Sequence, residues 1–191
     1  EGALRTELTA HTGTGSVYVY DPAARTVETV LTGIAGASGL ALDEAAETLY
    51  VSDLGSRCIW AVDTAARDRT AGGKGCSTHL YGLPGYPGAL SLDVDGTLYI
   101  SYRWARSGWL EAHAGRTLLR GMALRLSQTM QERLFSLSAS DIRAEAVAPA
   151  SGSWQRTIPG GSSGSTTALC PVGSRVYLAI SGETKLHWVR V

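Results

Sequence analysis

The chain has 191 residues, 44% of them hydrophobic and 18% charged, with 17 basic and 17 acidic side chains in balance. That is the composition of an ordinary globular protein long enough for a sizeable core, and its neutrality excludes the basic footprint of a nucleic-acid binder. No run approaches the ~18 apolar residues of a membrane span, Glu1-Gly2-Ala3-Leu4-Arg5 does not open a signal peptide, and the 23 glycines announce many turns.

From Gly15 to Tyr102 the pattern is strand and turn. Ser16-Val17-Tyr18-Val19-Tyr20-Asp21-Pro22 opens it. Gly39-Leu40-Ala41-Leu42-Asp43 followed by Leu49-Tyr50-Val51-Ser52 alternates at the strand period, and about fifty residues later Ala89-Leu90-Ser91-Leu92-Asp93 followed by Leu98-Tyr99-Ile100-Ser101 repeats it. Asp95-Gly96 supplies the hairpin turn of the second copy. A weaker copy, Arg175-Val176-Tyr177-Leu178-Ala179, lies near the end. A four-stranded unit recurring every ~40–50 residues reads as a propeller blade, so the fold class is all-β.

Between Arg103 and Leu137 the alternation stops. Leu118, Met122, Leu126, Met130 and Leu134 recur every fourth residue, predicting an amphipathic helix inserted between blades, with Gly121 as a point where it divides. Strand patterning resumes at Leu134-Phe135-Ser136-Leu137-Ser138, at Ala144 to Ala148 and from Arg175 to Val191, around a Gly/Ser loop over Gly160 to Ser165. The whole of 1–191 is expected to be one partial propeller, with 103–137 an insertion within it.

No catalytic or metal-binding constellation stands out in these residues. Gly160-Gly161-Ser162-Ser163-Gly164 satisfies G-x-S-x-G but lacks the strand and helix a nucleophile elbow needs. Gly72-Gly73-Lys74-Gly75 lacks the spacing of a phosphate loop, and His11, His79, His113 and His187 are scattered. Asp53 ends a strand, where a lone carboxylate reads as a turn cap. Cys58, Cys76 and Cys170 read as thiols, with a Cys58–Cys76 bridge left open.

These segments, together with Val30-Leu31-Thr32-Gly33-Ile34, Arg57-Cys58-Ile59-Trp60 and Leu83-Pro84-Gly85-Tyr86-Pro87, resemble in order the strictosidine synthase-like family, nearest to its adipocyte plasma membrane-associated protein branch. That branch also carries a helical insertion after its Gly-Tyr-Pro blade. The resemblance covers essentially the whole chain and implies a six-bladed β-propeller related to gluconolactonases and paraoxonases. Blades of ~40–45 residues leave room here for only about four. The remainder is expected from the same polypeptide or from a protein partner, because an open propeller exposes sheet edges and apolar surface.

In metal-dependent relatives the resemblance implies a calcium in the central channel, held by oxygen ligands from several blades. Their Pro-Asn-Gly turn is Ala37-Ser38-Gly39 here, and the Asp-Asn after Gly-Tyr-Pro is Gly88-Ala89. Ser38, Gly88 and Ala89 are thus degraded family positions, and calcium is not expected. The region matching the glutamate of the alkaloid-forming synthases, Ala168 to Gly173 around Pro171, contains no carboxylate. The resulting reading is a binding or structural module, such as a subunit of a larger assembly, with no catalytic residue assigned. The alternative is an arylesterase-like ester or lactone hydrolase, rather than a strictosidine synthase, whose active residues lie partly outside this chain.

One charged feature stands out. Residues 103–133 hold six arginines against two acids, with Trp104 and Trp109 at the start. Trp104, Trp109, Arg116, Arg120, Arg125 and Arg133 are therefore candidates for contact with a membrane surface or a partner groove, consistent with the membrane-associated or organellar location the resemblance implies. The plainer reading buries the Leu/Met stripe on the propeller and leaves the arginines solvated.

Overall fold

The alternating Leu, Tyr and Val residues form antiparallel ladders in the computed structural model, which describes residues 2–160 and 164–191. The first sheet pairs β1 (Gly15–Asp21) with β2 (Thr26–Ile34). The second runs through β3 (Ala37–Asp43), β4 (Thr48–Asp53), β5 (Cys58–Asp63) and, beyond the two-residue β6 (Arg69–Thr70), β7 (Cys76–Tyr81). β6 leaves that sheet to pair in parallel with β2, tying the first two blades together. The third sheet holds β8 (Gly85–Leu92), β9 (Leu98–Ala105), β10 (Ile142–Ala148) and β11 (Ser153–Pro159). The last holds β12 (Thr166–Val172), β13 (Arg175–Ile180) and β14 (His187–Arg190). Two complete four-stranded blades thus lie between two three-stranded sheets.

Several hairpins close by the same chemistry. Asp21, Asp43 and Asp63 end strands and accept hydrogen bonds from the backbone N–H of Ala23 (2.8 Å), Ala46 (2.9 Å) and Ala65 (2.7 Å). At Asp95-Gly96 the glycine takes φ +83°, and the Asp93 N–H bonds to the Thr97 carbonyl at 2.9 Å.

Both faces of the middle blades are covered, so alternate residues of a strand enter different cores. Cys58, Trp60 and Val62 of β5 join Val17, Val30 and Leu31 of the first sheet, whereas Ile59 packs with Leu98, Ile100 and Tyr102 of β9. Tyr99 points the other way, toward Leu169, Val176 and Leu178 of the last sheet. The outward face of β1 has no such neighbour, and Tyr18 and Tyr20 are 61% and 59% exposed.

The 103–137 segment departs from its sequence reading in several respects. It interrupts one blade, between the paired strands β9 and β10, instead of standing between blades. β9 continues to Ala105, and beyond it stand three short helices, α2 (Gly108–Ala112), α3 (Thr117–Ala123) and α4 (Gln128–Phe135), preceded in the chain by an unforeseen helix, α1 (Gly2–Ala10). Gly121 lies inside α3 and does not divide it; the breaks fall at 113–116 and 124–127. Leu134 and Phe135 belong to α4, which ends at Ser136 in the left-handed conformation (φ 47°), so no strand forms over 134–138. The expected burial of the Leu/Met stripe is overturned as well. Leu118, Met122 and Met130 are 86%, 65% and 54% exposed, and the inward face is carried by Leu110, Arg120, Ala123 and Phe135.

Cys58 and Cys76 are free and buried. Cys58 lies opposite Tyr81 and Cys76 opposite Val62, at opposite ends of the β5–β7 pair, too far apart for a bridge. Residues 161–163, the middle of the G-x-S-x-G segment over Gly160 to Gly164, lie outside the described residues.

Candidate functional site

β3, β8 and β12 are the first strands of their sheets and lie side by side, defining the inner edge of the blades. β3 and β8 approach so closely that a Cβ on Gly39 would sit 2.4 Å from the Gly88 carbonyl oxygen and 2.7 Å from the Leu90 nitrogen. Only glycine fits there. Three buried or half-buried serines reach the β8 backbone, two of them across this contact. Ser38 donates to the Pro87 carbonyl at 2.8 Å, Ser52 to the Gly88 carbonyl at 2.7 Å, and Ser101 to the Ala89 carbonyl at 3.1 Å. Ser38 Oγ and Ser52 Oγ are themselves 3.0 Å apart. Three successive carbonyls are thereby engaged by hydroxyls: Ser38 and Ser52 clasp their blade to the next, and Ser101 of β9 bonds within the sheet of β8.

Ser52 and Ser101 are not among the residues the sequence singles out, although their signal is there: each closes a Leu-Tyr-Val/Ile strand in one copy of the repeat. Thr166, at the start of β12, completes the neighbourhood. Its carbonyl oxygen lies 3.6 Å from where a Gly88 Cβ would stand, and its buried Oγ1 has no hydrogen-bond partner. Pro171 is not brought to this place. It pairs with Val176 beside the β12–β13 turn, five residues along from Thr166, or roughly 16 Å at the strand rise.

Asp53 is buried at the end of β4, and its carboxylate accepts from the Ser56 N–H and the Trp60 indole, both at 3.1 Å. It is a turn cap with both oxygens occupied. Beyond it, α1 to α4 roof the same end of the blades: Leu8, Leu54, Tyr86, Trp104, Leu110, Ala123 and Phe135 form one core. Arg120 is buried in that roof, donating from Nε to the Thr9 carbonyl (2.7 Å) and from Nη2 to the Leu8 carbonyl (2.5 Å), which caps the C-terminus of α1. Trp104 is buried, and Trp109 stacks on His113 and leans on Phe135. Arg116, Arg125 and Arg133 are exposed. Of the six candidate contact residues, Trp104 and Arg120 therefore face inward. A groove of about 560 Å³ between α1 and α4, lined by Arg5, Thr9, Gln128, Gln131 and Glu132, is separate from the clasp.

Residues 2–116 match the family model described as SMP-30/Gluconolactonase/LRE-like region, which is more than half of the chain. The chain belongs to this family. No curated protein matches it in sequence. Among solved structures it is similar to a luciferin-regenerating enzyme (18% identity, TM-score 0.56, covering 89% of this chain and 45% of that one). It is similar also to regucalcin, a calcium-binding protein, from Agrobacterium tumefaciens (14%, TM-score 0.56, 92% and 47%), and to a gluconolactonase from Xanthomonas campestris (16%, TM-score 0.53, 85% and 40%). At these identities the likeness carries the propeller fold alone. The chain spans less than half the length of each of these neighbours.

Within this SMP-30/gluconolactonase-like segment the donor set at the inner edge does not suit calcium, which takes six to eight oxygens and favours carboxylates. Ser38, Ser52 and Ser101 offer neutral hydroxyls, and the carbonyls of Pro87, Gly88 and Ala89 already accept hydrogen bonds from them. No group of three or more His, Cys, Asp or Glu side chains arranged for a metal occurs among the described residues.

Proposed function

We propose that this SMP-30/gluconolactonase-like segment belongs to the strictosidine synthase-like branch of propellers and serves as a binding or structural module rather than as a calcium-dependent hydrolase. The hydroxyl clasp carries the reading. Where the resemblance calls for amide and carboxylate ligands stand Ser38, Gly88 and Ala89, and the hydroxyls of Ser38 and Ser52 instead fasten their blade to the next. The helices that come after the Gly85-Tyr86-Pro87 strand support the branch assignment, since they stand where that branch carries its insertion.

The competing reading is an ester or lactone hydrolase of the family's kind, completed by residues outside this chain. Hydrolysis of aldonolactones and aryl esters by the full-length protein, monitored with added calcium and with a chelator, separates the two. The expected result is no calcium-dependent turnover. Chelator-sensitive hydrolysis restored by calcium would overturn the proposal. Condensation of tryptamine with secologanin is likewise expected to be absent, because no carboxylate lies in Ala168 to Gly173.

A further inference from the structure

We infer that the exposed face of α3, the turn after it and the start of α4 form a docking surface for an anionic lipid membrane. The observation is an apolar stripe turned outward: Leu118 and Met122 on α3, Leu126 in the turn and Met130 on α4 are all solvent-exposed, with Leu119 beside them. Buried contacts hold this arrangement in place. Arg120 and Ala123 take the inward face of α3, Arg120 by capping α1, so the helix cannot rotate its leucines into the core without leaving the Leu8 and Thr9 carbonyls bare.

The charge around the stripe matches such a surface. Arg116, Arg125 and Arg133 are exposed beside it, and the sole exposed acid between residues 116 and 133 is Glu132, 3.9 Å from Arg5. A face of leucine and methionine rimmed by arginine can place its apolar atoms at the acyl boundary and its guanidinium groups among anionic headgroups. The layout also argues against a helix-binding protein groove, which reads anchors at i, i+4 and i+7 along one continuous helix. Here the anchors are divided between two short helices and a turn, giving a broad face. The roof stands at the end of the blades where β3 and β8 begin, so docking there turns the clasp end of the propeller toward the lipid.

The test is sedimentation of the full-length protein with phosphatidylcholine vesicles containing about a third phosphatidylserine, and with phosphatidylcholine alone, over a salt series. Binding is expected on the anionic vesicles, weakening with salt. It should fall at least tenfold in Leu118→Glu/Met122→Glu and about fivefold per charge removed in Arg116→Gln/Arg125→Gln. Thermal melting checks that these exposed substitutions leave the fold intact, and amide exchange should slow over α3 when anionic vesicles are added. Vesicle binding unchanged by both double variants, or absent throughout, overturns the proposal. So does a loss of self-association in the variants without a loss of vesicle binding, which would assign the face to a second copy of the chain.

Discussion

Ser52 and Ser101 occupy equivalent points in two successive blades, and each spends its one proton on a carbonyl of the same inner strand. Removing the Ser52 hydroxyl leaves the Gly88 carbonyl without that donor at a buried site, so Ser52→Ala is expected to lower stability by about 1–3 kcal/mol, measured by urea unfolding. Gly39→Ala is expected to cost at least as much, because every atom its Cβ would meet is backbone of β8 and the strands must part. A Gly39→Ala variant with an unchanged melting curve would contradict the close approach. His79 adds a pH term. Its ring packs on Tyr50 with centroids 4.9 Å apart, its Nε2 is buried without a partner, and burial holds its pKa below the ordinary 6.5. The unfolded chain therefore takes up a proton near pH 6.5 that the folded protein refuses, and stability present above that value is lost as pH falls below it. His79→Phe is expected to reduce this fall between about pH 8 and pH 5, without abolishing it, since burial and Arg120 also lower the pKa of His11. Ser38, Gly88 and Ala89 are legible in the sequence as departures from the ligand pattern that the resemblance implies. Their partners are not: that Ser38 and Ser52 of one blade reach the Pro87 and Gly88 carbonyls of the next comes only from the packing of β3 on β8.

At the scale of elements, the strands read well because alternation and Asp-capped turns are local. The 103–137 segment reads less well. Its fourth-residue spacing of Leu and Met is real, but spacing reports only that one face differs from the other, and here the buried face belongs to Arg120 and Ala123. Burying an arginine is favourable only because α1 ends in bare carbonyls that it can cap, and α1 has no apolar period that would announce it. Arg120→Met keeps the volume and removes the donors. It is expected to cost about 2–3 kcal/mol and to raise amide exchange across α1 before the blades open. Equal protection of α1 in the variant and the parent protein would show that the cap is not what holds the helix.

At the scale of the molecule, the internal repeat announces the architecture, and the chain length leaves room for about four of the six blades that the resemblance implies. The two flanking sheets hold three strands each, and β1 turns Tyr18 and Tyr20 to solvent where a further blade would pack. Residues 1–191 expressed alone are expected to self-associate and to bind a hydrophobic dye, while the full-length protein does not. A monodisperse, cooperatively melting monomer of 1–191 would mean that these faces need no cover. On the proposed reading the clasp stands in place of a calcium site, and calorimetric titration of the chelator-treated full-length protein with calcium tests it most directly. The expected trace shows no saturable binding. A stoichiometric calcium site whose affinity falls on Ser38→Ala would contradict the clasp and return these residues to a metal centre.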